Sequence, residues 1–438
     1  MSALEAVGPS VSSADAARVA ADTAAAAIPP GVGTARFVGS DKAYWQLMVR
    51  GAVLLLCTLG IYRFWLATDQ RRFLWANTEV AGDPLEYTGT AREILVGFLI
   101  AIAVLVPIYV GFFIAAMDLG TIGRISGLLA FVLLALFGKF AVYRARRYRL
   151  TRTVFRGVRL HQSGSAWLYA FYSLLWLALT FISAGLLYPW AQASLERYKM
   201  RHTFYGDAPG RFVGSGTRLF LKGGTLWLVV MGPLLLGLGY AIRGVDWNAL
   251  ADAIGSDNVI GQIESASPNF GPALASLVAA LLWSTLAAAV FYPAFQAMTL
   301  RWWASGLRFG TMAAKSRLRA RQMYRLYFRF VGYALVFALI AGVISTFVFG
   351  FAFAVLKAVD NATIVELTQV IGGIISYVVL MLGYSTIYQV TVKLRLWRLS
   401  FETVELTGLQ ELERVRAAGV ASSGFGEGLA DALDVGGL

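Results

Sequence analysis

Eight apolar stretches dominate the chain, at 44–62, 94–116, 125–143, 166–189, 219–242, 273–297, 330–356 and 364–392, and no acidic or basic residue interrupts the apolar middle of the last seven. Runs of 18 or more apolar residues read as membrane-spanning helices, which need roughly 20 residues to cross a bilayer. The runs are continuous rather than alternating, so they predict helices and not a transmembrane barrel. Only 14% of residues are charged and mean hydropathy is +0.64. A soluble globular chain carries about 25% charged residues. The sequence therefore predicts an all-α integral membrane protein with six to eight transmembrane helices.

The first stretch is deficient as a span. Arg50 interrupts it, leaving a clean apolar piece of about a dozen residues against the roughly 20 required. The placement of positive charge sharpens the problem. Lys and Arg number four in 63–93, eight in 139–165, six in 190–222, eight in 298–329 and five in 393–416. The connections 117–124, 243–272 and 357–363 hold one each, and 243–272 carries four acids. Cytoplasmic connections are the basic ones. If all eight stretches crossed, 139–165 and 190–222 would face opposite sides and one strongly basic loop would lie outside. The conflict disappears if 44–62 and 166–189 are re-entrant or interfacial. Three helical hairpins then remain, and every basic connection and both termini are cytoplasmic.

Those two short stretches belong to an internal duplication. Gly60, Trp65, Arg72, Phe73, Thr78, Tyr87 and Gly89 meet Gly185, Trp190, Arg197, Tyr198, Thr203, Phe212 and Gly214 at a constant separation of 125, and a one-residue slip pairs Gly82-Asp83 with Gly206-Asp207. The domain organisation that follows is a disordered tail over 1–36, a first membrane repeat over 37–165, a second over 166–327, a hairpin with a basic exit over 328–416, and a flexible Gly-rich tail over 417–438. Ala, Ser, Gly and Pro fill the first tail, which lacks the basic start and apolar core of a signal peptide. Interleaved Arg and aromatic residues follow three of the long stretches, in "YRARRYRLTRTVFRGVRL", "LRWWASGLRFG" and "LRLWRLSFETVELTG". Such a composition suits the headgroup layer, where rings sit at the interface and Arg reaches phosphates.

The blocks "LGIYRFW…RRFLW" and "GDPLEYTGT", the run "FAVYRARRYRLTRT", and "LYPW…LERYKM" resemble the YjgN family of bacterial inner-membrane proteins. The resemblance covers about residues 37–410. It implies a multi-pass fold in a bacterial inner membrane. The family is a domain of unknown function, so the resemblance brings no activity, substrate or catalytic residue with it.

The residues themselves give little chemistry. The single cysteine, Cys57, excludes a disulfide framework and reads as a small core residue. His161 and His202 lack acidic partners at zinc-binding spacing, and no P-loop, dinucleotide fingerprint or Ser-His-Asp set stands out. No metal, cofactor or catalytic residue is expected, and the chain is not expected to be an enzyme. Gly82-Asp83 and Gly206-Asp207 read as turns. Tyr62, Trp65, Tyr188 and Trp190 read as interface anchors. Arg72, Arg197, Arg147, Arg152 and Arg201 are the candidate ligands for an anionic headgroup or substrate, because guanidinium forks suit phosphate and carboxylate.

Three functional readings result. The first is a protein that binds or organises anionic lipids through a cytoplasmic collar of Arg and aromatic residues. The second is an inverted-repeat transporter or flippase for an amphipathic or anionic substrate, which would place the two Gly-Asp turns on opposite faces. The third is a lipid-headgroup enzyme using Asp83, Asp207 and His202. Membrane lipids are the expected partners and nucleic acid is not. No protein partner can be named.

Overall fold

Ten short strands close into one antiparallel barrel, and five helical units stand on it. The computed structural model describes residues 32–117, 121–253, 261, 265–267, 269–356, 362–418 and 424–433. The strands are β1 (Val32–Phe37), β2 (Thr78–Val80), β3 (Asp83–Tyr87), β4 (Thr153–Phe155), β5 (Val158–Gln162), β6 (Thr203–Tyr205), β7 (Ala208–Phe212), β8 (Leu307–Phe309), β9 (Met312–Ser316) and β10 (Val404–Thr407). They follow one another around the barrel, and β10 pairs with β1 to close it. Closure leaves no unpaired strand edge.

Local chemistry makes the hairpins. Ala81-Gly82 and Arg156-Gly157 both have two consecutive positive φ values, +51°/+91° and +49°/+74°. This is the two-residue turn whose twist matches paired strands. Gly206 and Gly310 open the other two hairpins with φ +54°. Within β3, Leu85 and Tyr87 turn inward while Pro84 and Glu86 are exposed. The lumen gathers Phe155 and Tyr205 with Val80, Leu85, Val158, Leu160, Phe309 and Met312, and with Leu409 and Val415 from the segment after β10.

Five helical units leave the barrel and return to it at neighbouring strands. α1 (Asp41–Cys57) and α2 (Arg63–Ala76) link β1 to β2. α3 (Ala91–Met117) and α4 (Thr121–Thr151) link β3 to β4. α5 (Ala166–Ile182) and α6 (Tyr188–Arg201) link β5 to β6. α7 (Gly216–Gly244), α8 (Trp247–Ala253) and α9 (Phe270–Gly306) lie between β7 and β8. α10 (Ala320–Leu356) and α11 (Ala362–Tyr388), a π turn (Gln389–Lys393) and α12 (Leu394–Glu402) lie between β9 and β10. A 3₁₀ turn (Leu409–Arg414) and α13 (Phe425–Ala432) complete the described elements.

Among the described residues six helices are long and apolar enough to cross a membrane: Ala91–Ala115, Ser126–Thr151, Gly216–Gly244, Phe270–Gly306, Ala320–Ala352 and Thr363–Glu402. The short units differ. α1 and α5 have 17 residues each, about 25 Å of helix at 1.5 Å per residue, and a bilayer core is about 30 Å thick. Each breaks at the same point, Leu59-Gly60 (φ +50°, +90°) and Ala184-Gly185 (φ +50°, +86°). Each then runs back to the strand beside the one it left. The two copies thus repeat one element order, short pair, hairpin, long pair, hairpin, in the same sense.

The all-α expectation is overturned by the barrel. Its strands have three to six residues each, too few for a two-residue alternation to stand out from the Arg and aromatic pattern around them. Residues 32–36, assigned to the first tail, belong to β1, while 1–31 lie outside the described residues. The 417–438 stretch is corrected too: residues 425–432 form a helix with Glu427, Leu429 and Ala430 buried. Cys57 is exposed rather than in the core, because α1 is short and turns much of its apolar surface outward.

Candidate functional site

Three features near the barrel can hold a ligand or a charge. The first is a groove of about 740 Å³ between α1, α10 and the α11–α12 segment. Along α10, Arg325, Arg329, Tyr333, Val336 and Ile340 recur at helical spacing and share one wall. Side chains three and four apart stack on one helix face, so the basic pair sits at one end of a stripe that becomes apolar. Facing it, Ile387, Val390 and Thr391 lead to Arg395 and Arg398. The π turn Gln389–Lys393 adds a residue there and re-phases the basic end. Asp41 takes Arg395 and Arg398, the latter at 2.8 Å. Lys42, Arg325 and Arg329 are exposed and have no partner among the described residues. The groove has an apolar floor and an under-neutralised cationic mouth.

The second feature is the barrel lumen, a cavity of about 540 Å³ lined by Leu85, Phe155, Leu160, Tyr205, Phe309 and Met312 among others. Its polar groups are spent on the protein. Trp75 Nε1 donates to Thr153 Oγ1 at 3.0 Å, Trp397 Nε1 to Thr78 Oγ1 at 2.9 Å, and Tyr205 Oη to the Phe155 carbonyl at 3.0 Å. Arg308 donates to the carbonyl oxygens of Ser305, Leu307 and Ala314.

The third is a buried ion cluster. Arg71 on α2 and Glu427 on α13 form a salt bridge with side-chain exposures of 5% and 4%, and Arg149 on α4 reaches the other carboxylate oxygen of Glu427 at 3.8 Å. Arg63 pairs with Asp431 one turn further on. Burial opposes the Arg71 charge, but Glu427 and the Tyr87 hydroxyl outweigh it and its pKa is raised. Residues of α13 enter because they are small. A side chain at Gly428 would overlap the backbone of Gly97 and Phe98, and one at Gly426 would overlap Arg144.

The residues expected from sequence are dispersed. Arg72 is exposed and donates to the Gly89 carbonyl at 3.1 Å. Arg147 donates to the Gly164 carbonyl, and Arg152 pairs with Glu93 at 2.6 Å. Arg197 and Arg201 are exposed. These five do not line the groove. Tyr62 stacks on Trp65, Tyr188 packs on Phe295 and Trp190 on Phe220. Gly82 and Gly206 form turns of the barrel. Asp83 pairs with Arg156 at 2.6 Å, and Asp207 accepts from the Arg416 amide at 3.0 Å. The His202 ring contacts the Tyr198 carbonyl at 2.8 Å. Asp83, Asp207 and His202 are therefore each engaged with a different partner. No group of three or more His, Cys, Asp or Glu able to hold a metal occurs among the described residues.

Sequence reasoning missed Lys42, Arg325, Arg329, Arg395, Arg71 and Glu427. The helical spacing of Arg325 and Arg329 ahead of an apolar stripe was the usable signal for the groove. For Glu427 there was none, since its partners lie more than 270 residues away in the chain.

Two curated relatives match, the "Inner membrane protein YjgN" of Escherichia coli strain K12 and that of Escherichia coli O157:H7. Each is 30% identical over 128 residues, 28% of this chain and 29% of the relative. The match thus spans under a third of the relatives' length. No solved structure gives a significant match. The family model described as "Bacterial protein of unknown function (DUF898)" matches residues 33–432, a range that takes in the barrel, all five helical units and α13, and the chain belongs to that family.

Proposed function

We propose that the protein sits in the bacterial inner membrane and binds anionic lipid at the face of its barrel, with the groove between α1, α10 and α11–α12 as the principal site. The observation that carries this reading is the cationic mouth: Lys42, Arg325 and Arg329 have no carboxylate partner among the described residues and open onto the apolar wall of Val336, Phe337 and Ile340. A lipid with an anionic headgroup matches both ends. Arg reaches phosphate while the acyl chain lies along α10. The relatives named as inner membrane proteins, the six apolar helices and the five basic connections gathered on the barrel support an inner-membrane location with the barrel in the cytoplasm.

Native mass spectrometry of the purified protein tests the lipid reading. Phosphatidylglycerol is expected to be retained over phosphatidylcholine, and the R325A/R329A variant to lose about tenfold or more of that preference, each cation near a headgroup being worth about 1 kcal/mol. Equal retention of the two lipids would overturn it. Sidedness has its own test. With Cys57→Ser as background, single cysteines Ser163→Cys and Ala208→Cys are expected to react with an impermeant thiol reagent only after permeabilisation. Reaction of either one in intact cells places the barrel outside.

Both Gly-Asp turns stand in one barrel, which supports the lipid reading over transport through inverted repeats.

A further inference from the structure

Among the described residues, α13 sits in a place where the protein's other copy has no helix. α13 lies between α3 and α4, with Leu429 and Ala430 packed on Ala101, Ala141 and Ala145. Counting from the following strand, Arg149 stands four residues before β4 and Trp303 four residues before β8. Arg71 and Glu196 correspond at the repeat spacing of 125. In the second copy Glu196 is the carboxylate, and it accepts from Trp303 Nε1 at 3.2 Å and pairs with Lys199. The first copy has an arginine at each of the two places, and its carboxylate comes from Glu427.

The fit of that carboxylate is incomplete. Glu427 Oε2 and Arg71 Nε are buried without a hydrogen-bond partner among the described residues. Arg144 adjoins Gly426, and Arg63 holds Asp431. Three arginines, Arg63, Arg71 and Arg149, thus face an insert whose two carboxylates are its chief polar contacts. An eight-residue helix is unstable in water by itself, so α13 exists as a helix only while seated.

We propose that the Arg71–Arg149 cleft is a binding site for an anionic phosphate group, which Glu427 occupies in its absence, so that ligand and tail compete. A phosphate presents more acceptor oxygens than a carboxylate and can meet the Arg71 Nε–H as well as its terminal N–H groups. The proposal does not rest on the α10 groove, since the two sites share no residue.

Amide hydrogen exchange of residues 425–432 in the full chain reads the seating directly. In phosphatidylcholine nanodiscs these amides are expected to be protected. Adding phosphatidylglycerol, or adding inorganic phosphate to the phosphatidylcholine discs, distinguishes a lipid headgroup from a soluble phosphate as the ligand. Release by either supports the proposal. Arg71→Gln is expected to remove the response, while the R325A/R329A variant keeps it. Glu427→Gln keeps the shape of the insert and is expected to lower protection by at least about a hundredfold, the lower end of what removing one partner of a buried ion pair does. Protection unchanged by phosphatidylglycerol and by phosphate, or an equal response in Arg71→Gln, overturns the proposal. So does full protection in Glu427→Gln.

Discussion

The two copies share a plan and differ in how their long helix pairs are filled. In the second copy α7 and α9 touch. Gly237 has no room for a side chain, a Cβ there lying 2.7 Å from that of Ala280, and Ser284 donates to the Val230 carbonyl at 2.8 Å. Nearer the barrel an apolar cavity of about 330 Å³ remains, lined by Leu219, Gly223, Trp227, Phe295 and Met298. In the first copy the corresponding level holds α13, which packs against both α3 and α4. One duplicated scaffold therefore offers a charged cleft filled by the chain itself and an apolar cavity. The difference turns on single residues. An arginine at 71 demands an external carboxylate, and a glutamate at 196 supplies its own.

A graded set of substitutions would break or sharpen that contrast. The largest effect is expected from Arg71→Glu, which gives the first copy the second copy's residue and sets two buried carboxylates against each other. Loss of a buried partner costs about 3–5 kcal/mol, so thermal unfolding in nanodiscs should fall accordingly, and the added change Glu427→Gln should recover most of it. No loss in the single variant would mean that Glu427 is not the carboxylate Arg71 needs. Next comes Gly237→Val, which forces α7 from α9 and should cost about 1–3 kcal/mol as overpacking. Gly111→Ala on α3 meets nothing within 4 Å and should cost nothing or gain up to about 1 kcal/mol through helix propensity. Equal costs at 237 and 111 would show that the two long pairs pack alike.

Gly60→Ala and Gly185→Ala probe what the copies share. Both residues hold φ near +90°, and each change should cost about 1–2 kcal/mol. A clear difference between them would undo the equivalence of the two breaks. The smallest effect concerns His161, which is stacked on Phe204 with centroids 5.0 Å apart and has a buried Nδ1 without a hydrogen-bond partner among the described residues. Burial lowers its pKa below 6.5. The folded state therefore prefers the neutral ring, and stability is expected to fall as pH drops below 6.5 toward the folded value. His161→Asn should flatten that part of the pH–stability curve.

The legible part of the fold was what repeats along the chain or runs long. The three long pairs correspond to uninterrupted apolar runs, and the one-sided basic charge pointed to a single face for five connections. Gly60 and Gly185 marked the breaks because both recur at a fixed spacing. The barrel was hidden since Thr78–Val80 or Leu307–Phe309 is too short to show a period, and the same Arg and aromatic residues suit a headgroup layer equally well. The candidate site was legible only in its chemistry. Arginine was the correct residue type, but Arg325 and Arg329 were passed over for Arg72, Arg147 and Arg152, which the fold spends on Gly89, Gly164 and Glu93.

By itself the sequence determined that this protein is a membrane protein with a duplicated plan and a cationic face, because hydropathy, charge and turn chemistry act over a few residues at a time. The tertiary structure decided the closed barrel, the partners of each arginine and the seat of α13. Those depend on strands and charges brought together across hundreds of residues, and no local pattern encodes which buried cation a distant glutamate will meet.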